Sequence, residues 1–116
     1  MKPKTPKWLD DIKSSGAFIL DAVKGKTLQQ YSADPVLRAA VERHFEIIGE
    51  SAKRIADHDP QVAPRLGDYS NIIGFRNLLI HGYDVVSDQK VWKVIKNNLP
   101  SLLTRVSELL MESEAE

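Results

Sequence analysis

Apolar residues recur at spacings of three and four along most of the chain, and segments that alternate apolar and polar residues are nearly absent. The first pattern is typical of amphipathic helices, and the second would indicate strands. No Asn-Gly or Asp-Gly hairpin turn occurs in the sequence. The pattern therefore predicts an all-α protein.

The first half of the chain predicts two long helices. Helix one is expected from about Trp8 to Val23, with either Phe18 or Ser15 on its apolar face. The segment "LQQYSA" that follows is expected to form a turn or a short helical piece. Helix two is expected to begin at "DP", because Asp34 is a suitable N-cap and Pro35 fits the first helical position.

The second half begins with a linker at residues 57–68, which contains two prolines and a glycine. Helix three is expected from about Tyr69 or Ser70 to His81, and Gly82 predicts its end. Helix four is expected to start near Ser87 or Asp88, either of which can serve as its cap. Further along, Pro100 predicts either a kink in one long helix or the start of a fifth helix.

Helices joined by short links, with one longer connection, predict an antiparallel bundle of four or five helices. We expect a helical domain at residues 7–111, a basic flexible tail at 1–6 and an acidic flexible tail at 112–116. The chain has 116 residues, and a domain this small gains stability by burying more surface in a dimer.

Composition excludes several classes of function. The 16 basic and 16 acidic residues give no net charge, which argues against tight binding of nucleic acid by bulk charge but not against a local basic cleft. The absence of cysteine excludes disulfides and thiolate chemistry. No apolar run approaches the ~20 residues that a membrane span requires, and "MKPKTPK" precedes no apolar signal segment. We expect a cytoplasmic protein with no membrane association.

The three histidines are not spaced as metal ligands, and no Walker loop or other familiar catalytic motif occurs. His44 lies in the apolar stripe of helix two, where a half-buried packing role is the ordinary interpretation. His58 falls at a helix C-terminus, where an imidazolium is favoured by the helix dipole.

The segment "RNLLIHGY", Arg76 to Tyr83, sets polar side chains into an apolar helix. Residues four apart share a helix face, so the Asn77 amide can hydrogen-bond one ring nitrogen of His81, which would fix the tautomer of the ring. Arg76 and His81 are five apart, so an ideal helix separates them by roughly 140°. They can still converge on one ligand if the helix unwinds at Gly82 or if a second molecule supplies half of the site.

Arginine binds phosphate oxygens and stabilises developing charge, while histidine transfers protons near neutral pH. Together they suit metal-free RNA cleavage, in which the 2′-hydroxyl attacks the adjacent phosphate. The reaction needs both a base and an acid, and a two-fold dimer would supply two histidines. The R-x4-H spacing alone is common, so an ordinary amphipathic helix end remains open at this point.

The chain resembles a known family at four segments. "IIGFRNLLIHGY" (Ile72–Tyr83) is similar to the HEPN signature in the R-x4-H-x-Y form of HepT-like ribonuclease toxins. "FEIIGESAKRI", "VWKVIKNNLPSLL" and "WLDDI" are similar to other helices of that family. The resemblance covers about residues 7–110 and implies a HEPN-like helical bundle that forms a homodimer.

The resemblance also implies a function. HepT-like proteins are endoribonucleases that need no metal or other cofactor, and they act as toxins of a type VII (formerly type II) toxin–antitoxin module. The antitoxin is a minimal nucleotidyltransferase, MNT, that silences the toxin by transferring AMP to the motif tyrosine. Carried over, Arg76 and His81 are catalytic, Asn77 is supporting and Tyr83 accepts AMP. Glu50 and Lys53 are cleft-lining candidates, against the alternative that they are solvated surface charges.

Two other functions remain open from the sequence. One is a non-catalytic HEPN module that binds RNA or a partner protein, which zero net charge also fits. The other is a nucleotide-binding protein that acts with a transferase and uses the motif to hold phosphate. Binding without cleavage would indicate the first, and thermal stabilisation by free nucleotide would indicate the second.

Overall fold

The computed structural model describes residues 1–82 and 86–116. Its helices in chain order are α1 (Thr5–Val23), α2 (Leu28–Ser32), α3 (Pro35–His58), a 3-10 helix (Ala63–Leu66), α4 (Tyr69–His81), α5 (Asp88–Asn97) and α6 (Leu99–Ala115). No strand occurs in these two ranges, so the all-α prediction is confirmed. None of the described helices combines the length and apolarity needed to cross a bilayer.

Local cap signals explain most helix bounds. The Asp34 carboxylate accepts the Leu37 N–H at 3.0 Å, as predicted for the start of α3. Thr27 and Gln30 form a capping box that makes "LQQYS" a true short helix. Pro100 lies in the first turn of α6, where its missing N–H costs nothing, so the chain forms a fifth long helix rather than one kinked helix.

The long helices pack antiparallel around one core. The His44 ring contacts Ser15 and Phe18 in the middle of α1. The Asp59 carboxylate, just after the end of α3, accepts from Thr5 at the start of α1. Helices α1 and α3 therefore run in opposite directions. Gly16 of α1 faces Leu103 of α6. The largest fully buried side chains come from all parts of the chain and include Tyr31, Leu9, Ile12, Ile55, Ile95 and Leu109.

The helix bounds differ from the sequence prediction at both ends. Helix α1 begins at Thr5, inside the predicted basic tail, and α6 continues to Ala115, through most of the predicted acidic tail. The buried Asp59 carboxylate explains the first difference, because it accepts the Lys2 N–H at 2.9 Å and the Thr5 hydroxyl at 2.7 Å. This contact joins residues more than 50 positions apart, so local sequence does not reveal it.

The alternative left open in α1 is resolved by burial. Ser15 is buried, whereas Phe18 is 44% exposed. Phe18 instead stacks on His44, with ring centroids 4.0 Å apart, and the Ser15 hydroxyl lies 3.0 Å from Nδ1 of His44. His44 is therefore the half-buried packing residue that the sequence predicts.

Candidate functional site

Helix α4 packs directly on α3, with Phe75 edge-on to Phe45. Gly49 makes this close packing possible. A Cβ at that position would lie only 2.1 Å from the Cβ of Arg76, so any other residue would force the two helices apart. The exposed flanks of this helix pair form two grooves, one on each side of α4.

The Arg76 side chain is turned toward α3. Its Nη2 donates to Oε2 of Glu50 at 2.5 Å, and its Nη1 donates to Oδ1 of Asn77 at 2.8 Å. The side chain is only 22% exposed, so the two acceptors hold the guanidinium in a fixed position at the groove wall. A fixed and half-buried guanidinium is prepared to bind an anion with little loss of side-chain entropy.

The predicted hydrogen bond between Asn77 and His81 is wrong. Within the described ranges the Asn77 amide oxygen accepts from Arg76, and no hydrogen bond joins it to His81. The reason is that Arg76 bends toward Glu50, which brings its second terminal nitrogen beside the next side chain along the helix. Asn77 therefore orients the arginine of the motif rather than the histidine.

His81 is the last residue of α4, and its side chain is exposed. It lines neither groove, so one chain does not bring His81 and Arg76 together in a single cavity. This placement follows from their five-residue separation on an unbroken helix. Tyr83, the predicted AMP acceptor, lies outside the described residues.

The groove that contains Arg76 has a volume of about 430 Å³ and lies between α1, α3 and α4. We call it the arginine groove, because three arginines line it, together with carboxylates and a few apolar residues: Trp8, Asp11, Arg43, Glu46, Ile47, Glu50, Ser51, Arg54, Arg76 and Ile80. Glu50 is thus part of the groove. Lys53 is not, and its ammonium pairs with Asp57 at 2.8 Å.

The second groove is larger, about 580 Å³, and lies on the opposite side of α4 against α5 and α6. Its lining includes Phe75 and Leu78 of α4 and Val94 of α5. Neither residue of the R-x4-H pair reaches it. Size alone would point to this groove, but the side chains suited to phosphate chemistry lie in the smaller one.

The sequence pattern does not predict the roles of two residues, Arg54 in the arginine groove and Gly49 where α4 packs on α3. Arg54 donates from Nε to Oε1 of Glu50 at 3.3 Å, so the same carboxylate contacts two arginines. Gly49 was not singled out either, although α4 packs directly against it. The spacing of Glu50 and Arg54, one helical turn apart, was the available signal for the first residue.

The other two histidines line neither groove. His58 is the last residue of α3, as predicted, and its ring lies 5.4 Å from that of Trp8. Burial lowers the pKa of His44 below its ordinary value, and the neighbouring Arg43 guanidinium lowers it further. A neutral His44 fits its stacking on Phe18 and its contact with Ser15.

Comparison with known proteins identifies a family. The family model "Ribonuclease HepT-like" matches residues 12–109, which include α4 and the groove residues of α3 and α4. A protein of Caldanaerobacter subterraneus subsp. tengcongensis named "Putative RNase" is 32% identical over 96% of this chain and 99% of its own length. A Thermococcus cleftensis protein named "Probable ribonuclease HepT" is 28% identical over 94% of this chain and 98% of its own. No solved structure matches the chain significantly.

Proposed function

The chain belongs to the HepT-like ribonuclease family, and from this premise we propose that it is an endoribonuclease that cleaves RNA without a metal ion. The observation that carries the proposal is the position of the R-x4-H motif. Arg76 is held at a groove wall by Glu50 and Asn77, and His81 stands exposed one and a half turns further along α4. These two side-chain types suit phosphodiester cleavage by a 2′-hydroxyl, because histidine transfers protons and arginine stabilises the charge that develops on the phosphate.

In the proposed reaction the 2′-hydroxyl of a nucleotide attacks the adjacent phosphorus, and the bond to the 5′-oxygen of the next nucleotide breaks. A histidine removes the proton of the attacking hydroxyl, and a second group protonates the leaving oxygen. The Arg76 guanidinium stabilises the negative charge that builds on the non-bridging oxygens. The products are a 2′,3′-cyclic phosphate and a free 5′-hydroxyl, and no water is consumed in this step.

One chain provides one exposed motif histidine, so we propose that the active form is a two-fold dimer in which α4 of each protomer meets its partner. The outward stripe of α4 supports this. Ser70, Gly74, Asn77 and His81 lie on it and are all exposed, and a Cβ on Gly74 would meet no atom within 4 Å. A glycine inside a helix costs about 1 kcal/mol relative to alanine, and the single chain gains no close contact in return.

The apolar content of α4 supports the same dimer. Only Leu79 is fully buried in this helix, while Ile80 is 36% exposed and Ile72, Phe75 and Leu78 are half-buried. A helix with apolar residues on most sides normally packs against more than one neighbour. In a dimer the two copies of His81 would be brought toward one cleft, which would supply both the acid and the base.

Cleavage is tested with purified protein, a labelled single-stranded RNA and excess chelator. We expect fragments that end in a 2′,3′-cyclic phosphate, and a loss of rate of about 100-fold or more in Arg76→Ala, since removing one charge-stabilising donor costs that much in comparable sites. Full activity in Arg76→Ala would contradict the assignment. RNA binding with no cleavage by the wild type would favour the non-catalytic binding module.

The dimer is tested by sedimentation of Gly74→Gln. The side chain projects into open space in one chain, so the fold should be kept, but it would obstruct the approach of a second α4. We expect a dimeric wild type, a monomeric Gly74→Gln variant and an unaffected Ser14→Gln control on the exposed side of α1. A Gly74→Gln variant that remains dimeric would place the interface elsewhere.

We further propose that the protein is the cytoplasmic toxin of a type VII toxin–antitoxin module and that an MNT antitoxin transfers AMP to Tyr83. AMP at Tyr83 would add bulk and negative charge two residues from His81, which should repel RNA. Mass spectrometry after co-expression with such a transferase should find AMP on Tyr83 and no modification of a Tyr83→Phe variant. An unmodified Tyr83 beside an active transferase would contradict the regulation but not the cleavage.

A further inference from the structure

Glu50 is the only carboxylate in the arginine groove that contacts two arginines within the described ranges. Its Oε2 accepts from Nη2 of Arg76, and its Oε1 accepts from Nε of Arg54. One carboxylate between two guanidiniums leaves this cluster with a net charge of +1. This part of the groove is therefore locally cationic, although the whole lining, with Arg43 beside Asp11 and Glu46, carries three charges of each sign.

Arg54 is placed differently from Arg76. Its side chain is 55% exposed, so the guanidinium can turn toward a ligand without breaking any core contact. An exposed ion pair one helical turn long contributes little to folding stability. Stability of α3 is therefore a weak reason for an arginine at this position, whereas its place in the groove beside Arg76 leaves the guanidinium accessible to a ligand.

The two arginines approach Glu50 from different helices. Arg54 lies one turn beyond Glu50 on α3, a displacement of about 6 Å between these two positions along the helix axis. Arg76 comes from α4 and contacts the other oxygen of the same carboxylate. Two guanidiniums that come from different helices can each bind a different phosphate of an extended RNA strand, because each offers a fork of donors for phosphate oxygens.

We propose that Arg54 is a second phosphate-binding residue, which holds the phosphate next to the one that Arg76 binds, in single-stranded RNA. Glu50 is the positioning residue for both arginines. This assignment rests on the proposed ribonuclease function and adds the direction of the substrate, which runs along the arginine groove beside α3. Arg43 lies in the same groove, about three turns before Arg54. Among the described residues its ion pair is with Glu46, at 3.9 Å, and not with Glu50, so it is not part of the cluster.

The chain offers a matched control for Arg54. Arg65 is 50% exposed and pairs with one glutamate, Glu112, at 2.7 Å, but it lines neither groove. Substituting either arginine by alanine removes one positive charge and one exposed ion pair. A difference in RNA affinity between the two variants therefore measures the contribution of the arginine groove.

The test uses a fluorescent single-stranded RNA whose 2′-hydroxyls are methylated, so that it binds but cannot be cleaved. We expect Arg54→Ala to weaken binding about tenfold, the loss typical of one charge-assisted hydrogen-bonded contact. The slope of log affinity against log salt concentration should become less steep by about 0.7, which is the value for one phosphate of a single strand. Arg65→Ala should change affinity less than twofold, and Arg54→Lys should restore part of it.

Equal losses of RNA affinity in Arg54→Ala and Arg65→Ala would overturn the proposal. The proposed role of Arg76 in RNA cleavage would not be affected by that result. Competition by AMP as effective as that by the RNA would also overturn it, because the ligand would then be a mononucleotide. A wild type that binds the RNA but never cleaves the unmethylated strand refutes the proposed function alone, since the affinity comparison still decides the role of Arg54. A wild type that binds no RNA refutes both.

Glu50 is tested by separating rate from affinity. Glu50→Gln keeps the side-chain size but removes the charge that holds both guanidiniums. We expect the single-turnover cleavage rate to fall at least tenfold while RNA affinity stays equal or rises, because a negative charge has left the groove. If Glu50 only supported the fold, its substitution would lower the cleavage rate and the RNA affinity together. An unchanged rate in Glu50→Gln would remove Glu50 from the proposal, and Glu112→Gln provides the matched control.

Discussion

Replacing Gly49 by alanine would add one methyl group where α3 and α4 are in direct contact. The new Cβ would lie 2.1 Å from Cβ of Arg76, 2.6 Å from its Cγ and 3.4 Å from the Ile72 carbonyl oxygen. Carbon atoms pack at about 3.5–4.0 Å, so the two helices would have to separate by roughly 1.4 Å or more. The Arg76 Cβ is fixed to the backbone, so rotation of a side chain cannot relieve the clash.

Overpacking of this kind costs about 1–3 kcal/mol, and the rigid contact favours the upper part of that range. Alanine restores about 1 kcal/mol of helix propensity relative to glycine. We therefore expect Gly49→Ala to lower the free energy of unfolding by about 1–2 kcal/mol, which corresponds to a Tm roughly 4–8 °C lower in a domain of this size. RNA cleavage should fall as well, because Arg76 is moved from its place in the groove.

The assay is urea denaturation followed by circular dichroism at one protein concentration, with Gly16→Ala as the comparison. A Cβ on Gly16 would meet the tip of Leu103, at 2.4 Å from Cδ2 and 2.9 Å from Cδ1, which a rotamer change can move. We expect Gly16→Ala to be less destabilising than Gly49→Ala. A Gly49→Ala variant as stable as the wild type, or more stable, would refute the close packing described for α3 and α4.

Three further predictions concern folding alone. Asp59→Ala should cost about 1–3 kcal/mol of unfolding free energy, because the Lys2 N–H and Thr5 hydroxyl would lose their acceptor, and urea denaturation would measure it. The pKa of His44 lies below its ordinary value of 6.5, mainly through burial, so the unfolded state binds more protons and stability should fall as pH drops below about 6.5. Urea midpoints at acid and neutral pH should show a smaller fall in His44→Gln than in the wild type. Asp34→Ala should cost about 1 kcal/mol through loss of the α3 N-cap, measured by the same denaturation.

Sequence predicted the features that depend on neighbouring residues. The start of α3 at Asp34-Pro35 and the span of α4 from Tyr69 to His81 follow from caps, proline and glycine that act within one turn. The R-x4-H motif is equally local, and its place on α4 was predicted correctly.

The features that sequence missed depend on how helices pack. The Arg76 guanidinium reaches Glu50, 26 positions away, rather than leaving the Asn77 amide free for His81. Arg54 appeared to be one charge among several on the exposed side of α3, and only the position of α4 brings it into a groove with Arg76. Helix periodicity gives the faces of a helix but does not state which other helix each face meets.

The central claim is that the exposed histidine at the end of α4 takes part in RNA cleavage. The most direct measurement compares the single-turnover cleavage rates of His81→Ala and His58→Ala in excess chelator. Both residues are exposed histidines that end a helix, so the same substitution removes the same kind of group. We predict a loss of about 100-fold or more for His81→Ala, as for removal of a general acid or base, and a nearly unchanged rate for His58→Ala. Equal rates in the wild type and His81→Ala would contradict the account.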